Sequence, residues 1–99
     1  MGEREVTVER NADEQRYEVW VEGALAGFAE YRMRGDDTFV FTHTQVDDAY
    51  EGEGVASQLI RAALDDVRGR NGSIVARCPF VAAFVQRHPD YADLLADRR

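Results

Sequence analysis

The sequence contains no lysine, and this absence removes a group of reactions. All 12 basic residues among the 99 are arginines. Arginine stays protonated in proteins, so its side chain neither forms a Schiff base nor accepts an acyl group as a free amine does. The chain therefore has no catalytic lysine, and its side chains offer no primary amine that could be acylated.

Cysteine, histidine and long apolar runs are also scarce. The single cysteine, Cys78, excludes an internal disulfide and favours a reducing compartment. Together with His43 and His88 it shows no metal-ligand spacing, so we predict no metal. No apolar run approaches the roughly 20 residues of a membrane span, and the charged residues 1–16 do not resemble a signal peptide. The expected location is the cytoplasm, without a membrane partner.

Charge and length narrow the class of protein further. The formal net charge of −7 argues against nonspecific nucleic-acid binding, which needs a basic patch. A chain of 99 residues with 44% hydrophobic content fits one globular domain spanning residues 1–99.

The first half of the chain alternates apolar and polar residues, which is typical of β-strands. This pattern predicts four strands, at residues 4–10, 16–22, 24–33 and 38–46. Turn residues such as Glu22-Gly23 separate them, so we expect an antiparallel meander. Continued alternation in the fourth strand predicts that His43 shares a face with Phe39 and Phe41.

The second half changes to a helical period. Residues 54–68 predict an amphipathic helix, 73–78 a short strand, 80–87 a helix that is apolar on nearly all sides, and 91–95 a last helical turn. The order is β-β-β-β-α-β-α, a mixed α/β fold. It should form a twisted, mostly antiparallel sheet of about five strands with two main helices, and the crossover helix predicts a parallel pair between strands four and five.

A glycine-containing turn joins the fourth strand to the first helix. Gly52 and Gly54 allow the backbone to approach a ligand closely, and the first N–H groups of the following helix point towards it. This arrangement binds phosphate in several unrelated folds. The alternative is that both glycines serve only the tight turn.

Two segments, Glu51–Ala56 and Cys78–Tyr91, together with this order of elements, resemble the GNAT superfamily of acetyl-CoA-dependent N-acetyltransferases. The likeness is strongest to its minimal, stand-alone branch. The resemblance implies acetyl-CoA or CoA as cofactor and an unidentified amine as acceptor. It also implies that the pantetheine arm and the pyrophosphate are held by the end of the fourth strand and by the turn, that is by Gln45, Val46, Asp47, Gly52, Glu53, Gly54, Val55, Ala56 and Ser57.

The chain departs from the family pattern at three places. Glu51 stands where the pyrophosphate signature has arginine or glutamine, although Gly54 and Ala56 match it. The tyrosine that many members use as general acid corresponds to Phe84 or Val85. The helices that larger members carry between the first two strands are missing. These departures favour an alternative function, a non-catalytic acyl-CoA-binding or protein-interaction module with the same fold, whereas Gly54, Ala56 and Cys78 favour acetyl transfer. For either function we expect a monomer or weak homodimer.

Two residues are candidates for catalysis. Cys78 precedes Pro79, which predicts a helix N-cap, where a thiolate is stabilised. The resemblance places it beside the thioester, so it would accept the acetyl group or line the pocket; the alternative is a small buried apolar residue. His43 would serve as general base for the amine, or would cap the core through one hydrogen bond. Asp47 and Asp48 would attract a cationic amine, or only make loop contacts.

Overall fold

The computed structural model describes residues 5–96, and it confirms the predicted order of elements. Arg4, with which the predicted first strand begins, lies outside the described residues. Two short 3-10 helices, Asp48–Tyr50 and Pro89–Leu94, precede and follow the helical part of the chain. The strands and α-helices are β1 (Val6–Asn11), β2 (Arg16–Val21), β3 (Ala24–Arg34), β4 (Thr38–Val46), α1 (Val55–Gly69), β5 (Ser73–Ala76) and α2 (Pro79–Arg87).

The five strands form one sheet in the order β1-β2-β3-β4-β5. Neighbouring strands from β1 to β4 are antiparallel, whereas β5 runs parallel to β4, as the crossover helix predicts. Glu22 and Gly23 turn β2 into β3 with φ angles of 51° and 80°. A two-residue hairpin loop of this kind needs positive φ at both positions, which explains the glycine.

The core lies between one face of the sheet and the two α-helices. Tyr17, Val19 and Val21 of β2 are buried on this helix-covered face, in agreement with their alternation in the sequence. The helices bury their apolar residues in the same cluster, with Leu59, Ile60, Ala63, Leu64 and Val67 from α1 and Val81, Phe84 and Val85 from α2. The other face, which we call the open face, carries Arg16, Glu18, Phe28 and Glu30, none of which belongs to the cluster.

The helix α2 is buried along one side only. Val81, Phe84 and Val85 are buried, whereas Ala82 and Gln86 are exposed. The helix is present and apolar on nearly all sides, as predicted, but the expectation that such a helix is buried holds for one side only. The reason is its position, because α2 packs beside β4 and β5 near the border of the sheet, and its outer side faces away from the core.

A bulge in β4 reverses the direction of the side chains that follow it. Tyr31 pairs with Phe41, and its neighbour Glu30 pairs with His43, so Thr42 is the extra residue. Adjacent residues of β3 point to opposite faces, and their partners must do the same. Phe41 is buried on the helix-covered face, and His43 is exposed on the open face. The prediction that His43 shares a face with the phenylalanines of β4 is wrong, because the bulge interrupts the alternation.

The strands β4 and β5 separate after a short parallel pairing. Their register covers only Thr38–Phe41 with Ser73–Ala76. The carbonyl oxygen of Phe41 then accepts hydrogen bonds from the N–H groups of both Arg77, at 3.0 Å, and Cys78, at 2.9 Å. β4 continues to Val46, whereas the segment that follows β5 turns into α2. A space therefore opens between the end of β4 and the start of α2. We call this space the β4–β5 gap.

Backbone groups of β4 face the gap. The N–H of Asp47 donates to the carbonyl of Ala26 at 2.8 Å, so the backbone N–H of Asp47 points towards β3. In an antiparallel ladder consecutive residues direct their backbone groups to alternate sides. The N–H and C=O groups of Val46 and Thr44 therefore point away from β3 and towards the gap.

Candidate functional site

The turn that follows β4 is held in a defined shape. The Asp47 carboxylate accepts a hydrogen bond from the N–H of Ala49 at 2.9 Å, which caps the first 3-10 helix. Gly52 and Gly54 have φ angles of 82° and 76°. A Cβ at either glycine would meet no atom within 4 Å, so the left-handed backbone, and not lack of space, requires glycine here.

Three backbone donors lie at the start of α1. The first intrahelical donor after the cap is Gln58, whose N–H binds the carbonyl of Gly54 at 3.0 Å. The N–H groups of Val55, Ala56 and Ser57 come before it and have no partner within the helix. They border a cleft of about 330 Å³ between the turn and the end of β4. Unpaired N–H groups and the positive end of the helix dipole favour an anion in this cleft.

The side chains around the same cleft are acidic. Asp47, Asp48 and Glu51 line it and are exposed, and no basic residue is among its lining residues. A phosphate group in this cleft would be bound by backbone N–H groups alone. Glu51 stands where the pyrophosphate signature has arginine or glutamine. Its negative charge makes the cleft less favourable for an anion.

Cys78 lies across the β4–β5 gap from β4. It is the N-cap of α2, followed by Pro79 at the first helical position, as predicted. Its side chain does not cap the helix; instead its Sγ lies 3.3 Å from the hydroxyl oxygen of Thr44. Cys78 is only 3% exposed. The thiol is therefore buried, and its polar neighbour is a hydroxyl on the strand that borders the gap.

His43 lies on the open face, one residue before Thr44 in β4. Its Nε2 is 3.3 Å from Oε1 of Gln45, and the centre of its ring is 6.3 Å from that of Phe28. Because His43 is exposed, it does not cap the core.

The structure does not bring Cys78 and His43 together as a cysteine–histidine pair. Cys78 contacts Thr44, and His43 is the neighbour of Thr44 in β4, so its side chain points to the opposite face. Cys78 borders the gap together with Thr44, whereas the neighbours of His43 are Gln45 and Phe28 on the open face. Sequence reasoning missed the role of Thr44, since a threonine in a strand rich in β-branched residues gives no signal of a contact with a distant cysteine.

A second cleft lies on the open face, and we call it the open-face pocket. It measures about 470 Å³ and is lined by Leu25, Phe28, Gln45, Asp47 and Asp48, together with the backbone between them. Val46, Asp47 and Asp48 also line the cleft at the turn. The end of β4 therefore separates two clefts that share one wall.

Arg16 and Glu18 stand beside this pocket on the open face. The guanidinium of Arg16 lies 4.6 Å from the centre of the Phe28 ring and binds the Glu18 carboxylate at 2.9 Å. Asn11 donates a second hydrogen bond to that carboxylate at 3.0 Å. Burial alone would raise the pKa of Glu18, but the hydrogen bonds from Arg16 and Asn11 outweigh it and hold the pKa below its ordinary value.

Other candidates have structural partners. Arg61, the basic residue in the second turn of α1, lies 5.5 Å from the ring centre of Phe84, at the interface between α1 and α2. Phe84 and Val85, the two residues to which the tyrosine of many family members could correspond, are both buried. Within residues 5–96, no three His, Cys, Asp or Glu side chains are grouped as metal ligands. No helix in this part of the chain is long and apolar enough to cross a membrane.

Two solved structures share this architecture. A GCN5-like protein from Staphylococcus aureus matches with a TM-score of 0.69 over 90% of this chain and 86% of that chain, at 23% sequence identity. Ard1 from Thermoplasma volcanium matches with a TM-score of 0.54 over 63% of this chain and 43% of its own, at 25% identity. The fold is thus that of the GNAT acetyltransferases, as the sequence predicts.

The family follows from the sequence match. The model of the GCN5-related N-acetyl-transferases matches residues 16–94, and the chain belongs to this family. Protein NATD1 from Bos taurus is 40% identical over 59 residues, and Protein NATD1 from Homo sapiens is 38% identical over 59 residues. Each match covers 60% of this chain and 52% of the relative, so the chain matches about half the length of these curated proteins.

Proposed function

We propose that the protein binds acetyl-CoA and transfers its acetyl group to an amine. Membership of the family supports acetyl transfer in general terms. One observation carries the proposal for this chain: the cleft at the turn and the β4–β5 gap meet at Val46. This residue lines the cleft, and its backbone faces the gap. A ligand with a phosphate end and an extended arm would fit along this path.

Each part of the path has suitable donors. The N–H groups of Val55, Ala56 and Ser57 would hold the pyrophosphate, with the turn from Gly52 to Gly54 leaving the approach open. The pantetheine arm would bind the end of β4 between Gln45 and Asp47. Within that stretch we assign the contact to Val46, since the Asp47 N–H is engaged with Ala26.

Acetyl-CoA would supply the acetyl group as a thioester, at the level of Thr44 and Cys78. Backbone N–H groups of β4 that face the gap would stabilise the negative charge that develops on the carbonyl oxygen. In one route the amine attacks this carbonyl directly, and His43 accepts its proton from the open face. In the other, Cys78 Sγ attacks the thioester carbonyl, the C–S bond to CoA breaks, and CoA leaves as its thiol with the proton of Cys78. The amine then attacks the cysteinyl thioester, and one of its protons restores the Cys78 thiol.

Intact mass spectrometry after incubation with acetyl-CoA tests the route through Cys78. We expect a mass increase of one acetyl group that is reversed by hydroxylamine and is absent in Cys78→Ala. Thr42→Ala, at an exposed position of β4, is the control and should keep the adduct. Because the chain has no lysine, no side-chain amine competes for the acetyl group. An adduct that persists in Cys78→Ala would contradict the route.

A non-catalytic acyl-CoA-binding or protein-interaction module is the second candidate function. The burial of Cys78 favours it, because a thiol that is 3% exposed is poorly accessible unless the gap opens. The apolar residues Phe84 and Val85, to which the tyrosine of the general acid could correspond, favour it as well. Calorimetric binding of acetyl-CoA without an adduct and without acetylated amine would favour the module over the enzyme.

We also propose that the chain acts as one domain in the cytoplasm, as a monomer or weak homodimer. The free thiol of Cys78 fits a reducing compartment. The strand β1 forms one border of the sheet, where a second copy could pair. Light scattering over a range of protein concentrations tests the oligomeric state.

A further inference from the structure

The open-face pocket indicates which amines the protein would accept. We propose that the acceptor is an aliphatic amine with a second positive charge, a linear diamine or polyamine, and that it binds in this pocket. The inference rests on the proposed function and adds the class of the acceptor. Three features of the pocket support it: an apolar floor, an acidic rim, and continuity with the residues that border the gap.

The floor of the pocket is apolar although it lies on the surface. Leu25 is 42% exposed, and it is the one exposed large apolar side chain among residues 5–96. The Phe28 ring lies beside it on the open face and also lines the pocket. An alkyl chain laid across Leu25 and Phe28 would remove this apolar surface from water.

The rim of the pocket is acidic. Asp47 and Asp48 line it, and no basic side chain is among its lining residues. The nearby guanidinium of Arg16 stacks on Phe28 and is paired with Glu18 at 2.9 Å, so it does not neutralise the rim. An ammonium group is the complement of two exposed carboxylates, and an apolar chain with an ammonium end matches the pocket as a whole.

The pocket leads towards the proposed transfer site. Gln45 lines it and contacts His43 at 3.3 Å. Three residues of extended strand separate Asp47 from Thr44, or about 10 Å. A linear diamine held at the rim by one nitrogen would bring its other nitrogen to the gap.

The second nitrogen must be neutral to attack. In the direct route its proton passes to His43, the N–C bond forms, and the C–S bond of the thioester breaks to release CoA as its thiolate. The nitrogen at the rim stays protonated and takes no part in the chemistry. The two ends of the acceptor would thus have separate roles, one in binding and one in reaction.

Steady-state kinetics with a matched pair of amines tests the inference. Hexamethylenediamine and heptylamine have the same length and differ in one terminal group, which is an ammonium in the first and a methyl in the second. We expect a KM for the diamine about fivefold lower than for the monoamine, which is the upper range for an exposed ion pair. With acetyl-CoA at saturation, because Asp48 also lines the cleft at the turn, Asp48→Asn should raise the KM of the diamine more than that of the monoamine.

The control variant is Asp13→Asn, which makes the same change in an exposed turn away from the pocket. It should alter neither KM. Equal KM values for the two amines in the wild-type protein would overturn the inference and leave the proposed function intact. An equal effect of Asp48→Asn on both amines would overturn it too. Acetylated product from neither amine, with acetyl-CoA bound, would overturn the proposed function together with the inference.

Discussion

Cys78 and His43 have different surroundings, and this difference decides how the proposed chemistry is divided. Cys78 is buried beside Thr44, whereas His43 is exposed beside Gln45 on the other face of the sheet. Cys78 borders the β4–β5 gap, and His43 lies on the open-face side of the same strand as Thr44. An amine that comes from the open face would meet His43 first, so His43 belongs with the acceptor and Cys78 with the acetyl group.

Glu18 makes the stability of the folded protein depend on pH in the acidic range. Its pKa is lowered in the fold from the ordinary value of 4.5. A carboxylate of this kind contributes stability that is present above the ordinary value and is lost as the pH falls through the lower value of the folded state. Glu18→Gln should lower the free energy of unfolding at pH 7 by about 1–2 kcal/mol.

The measurement is urea unfolding of both proteins at neutral and acidic pH. The difference between wild type and Glu18→Gln should shrink as the pH falls below the ordinary carboxyl pKa, because the wild-type carboxyl then becomes neutral too. Glu14→Gln, in the exposed turn between β1 and β2, is the control and should change the stability little. A difference that stays constant across this range would show that the charge of Glu18 is not the cause.

The strand β4 shows how far the sequence predicts this fold. The alternation of Tyr17, Val19 and Val21 predicted their burial, because the register irregularity between β2 and β3 places its extra residue in β3 and leaves the alternation of β2 intact. In β4 the same reasoning fails at His43. The pattern of β4 continues without a break, and the bulge is set by pairing with β3, which lies outside any local window.

The candidate site was also predicted in part. Gly52 and Gly54 stand in a local strand–turn–helix, so their left-handed backbone and the free N–H groups after them follow from sequence. The contact between Thr44 and Cys78 joins residues 34 positions apart, and only the assembled sheet brings them together. The open-face pocket likewise depends on the register of β3 against β4.

Gly27 tests the importance of the close approach of β3 to the end of β4. A Cβ at Gly27 would overlap the carbonyl oxygen of Gln45 and come within 2.8 Å of the Val46 Cα. Gly27→Ala should therefore displace the strands beside the gap and lower the free energy of unfolding by about 2 kcal/mol.

The matched control is Gly69→Ala at the end of α1, where an added Cβ meets nothing within 4 Å. Alanine is the better helix former, so this variant should be as stable as the wild type or more stable, by about 0.5 kcal/mol. Both values come from urea unfolding curves. If Gly27→Ala is no less stable than Gly69→Ala, the strands are not packed as closely as described.

The charge of the whole molecule opposes its proposed ligand. The net charge is −7, and the cleft at the turn adds Asp47, Asp48 and Glu51 close to the expected phosphates. Most proteins that bind polyanions lose affinity as salt rises, because salt screens attraction. Here salt would screen a repulsion, so the affinity for acetyl-CoA should rise with moderate sodium chloride.

Removal of one carboxylate from the turn tests this electrostatic account. Glu51→Gln restores an amide at the signature position and should tighten binding of acetyl-CoA about threefold at low salt. Glu14→Gln changes the net charge equally but lies in the turn between β1 and β2, and it should have little effect. Calorimetry at low and moderate salt gives both values. Tighter wild-type binding at low salt than at moderate salt would contradict the account.

The most direct test of the proposed acetyl-CoA site is an NMR titration of the ¹⁵N-labelled protein with acetyl-CoA. We predict that the amide signals of Val46, Val55, Ala56 and Ser57 shift together with one binding curve. The signals of Asp13 and Glu14 in the distant turn should not move. Shifts confined to other residues, or no shift at millimolar acetyl-CoA, would contradict the account.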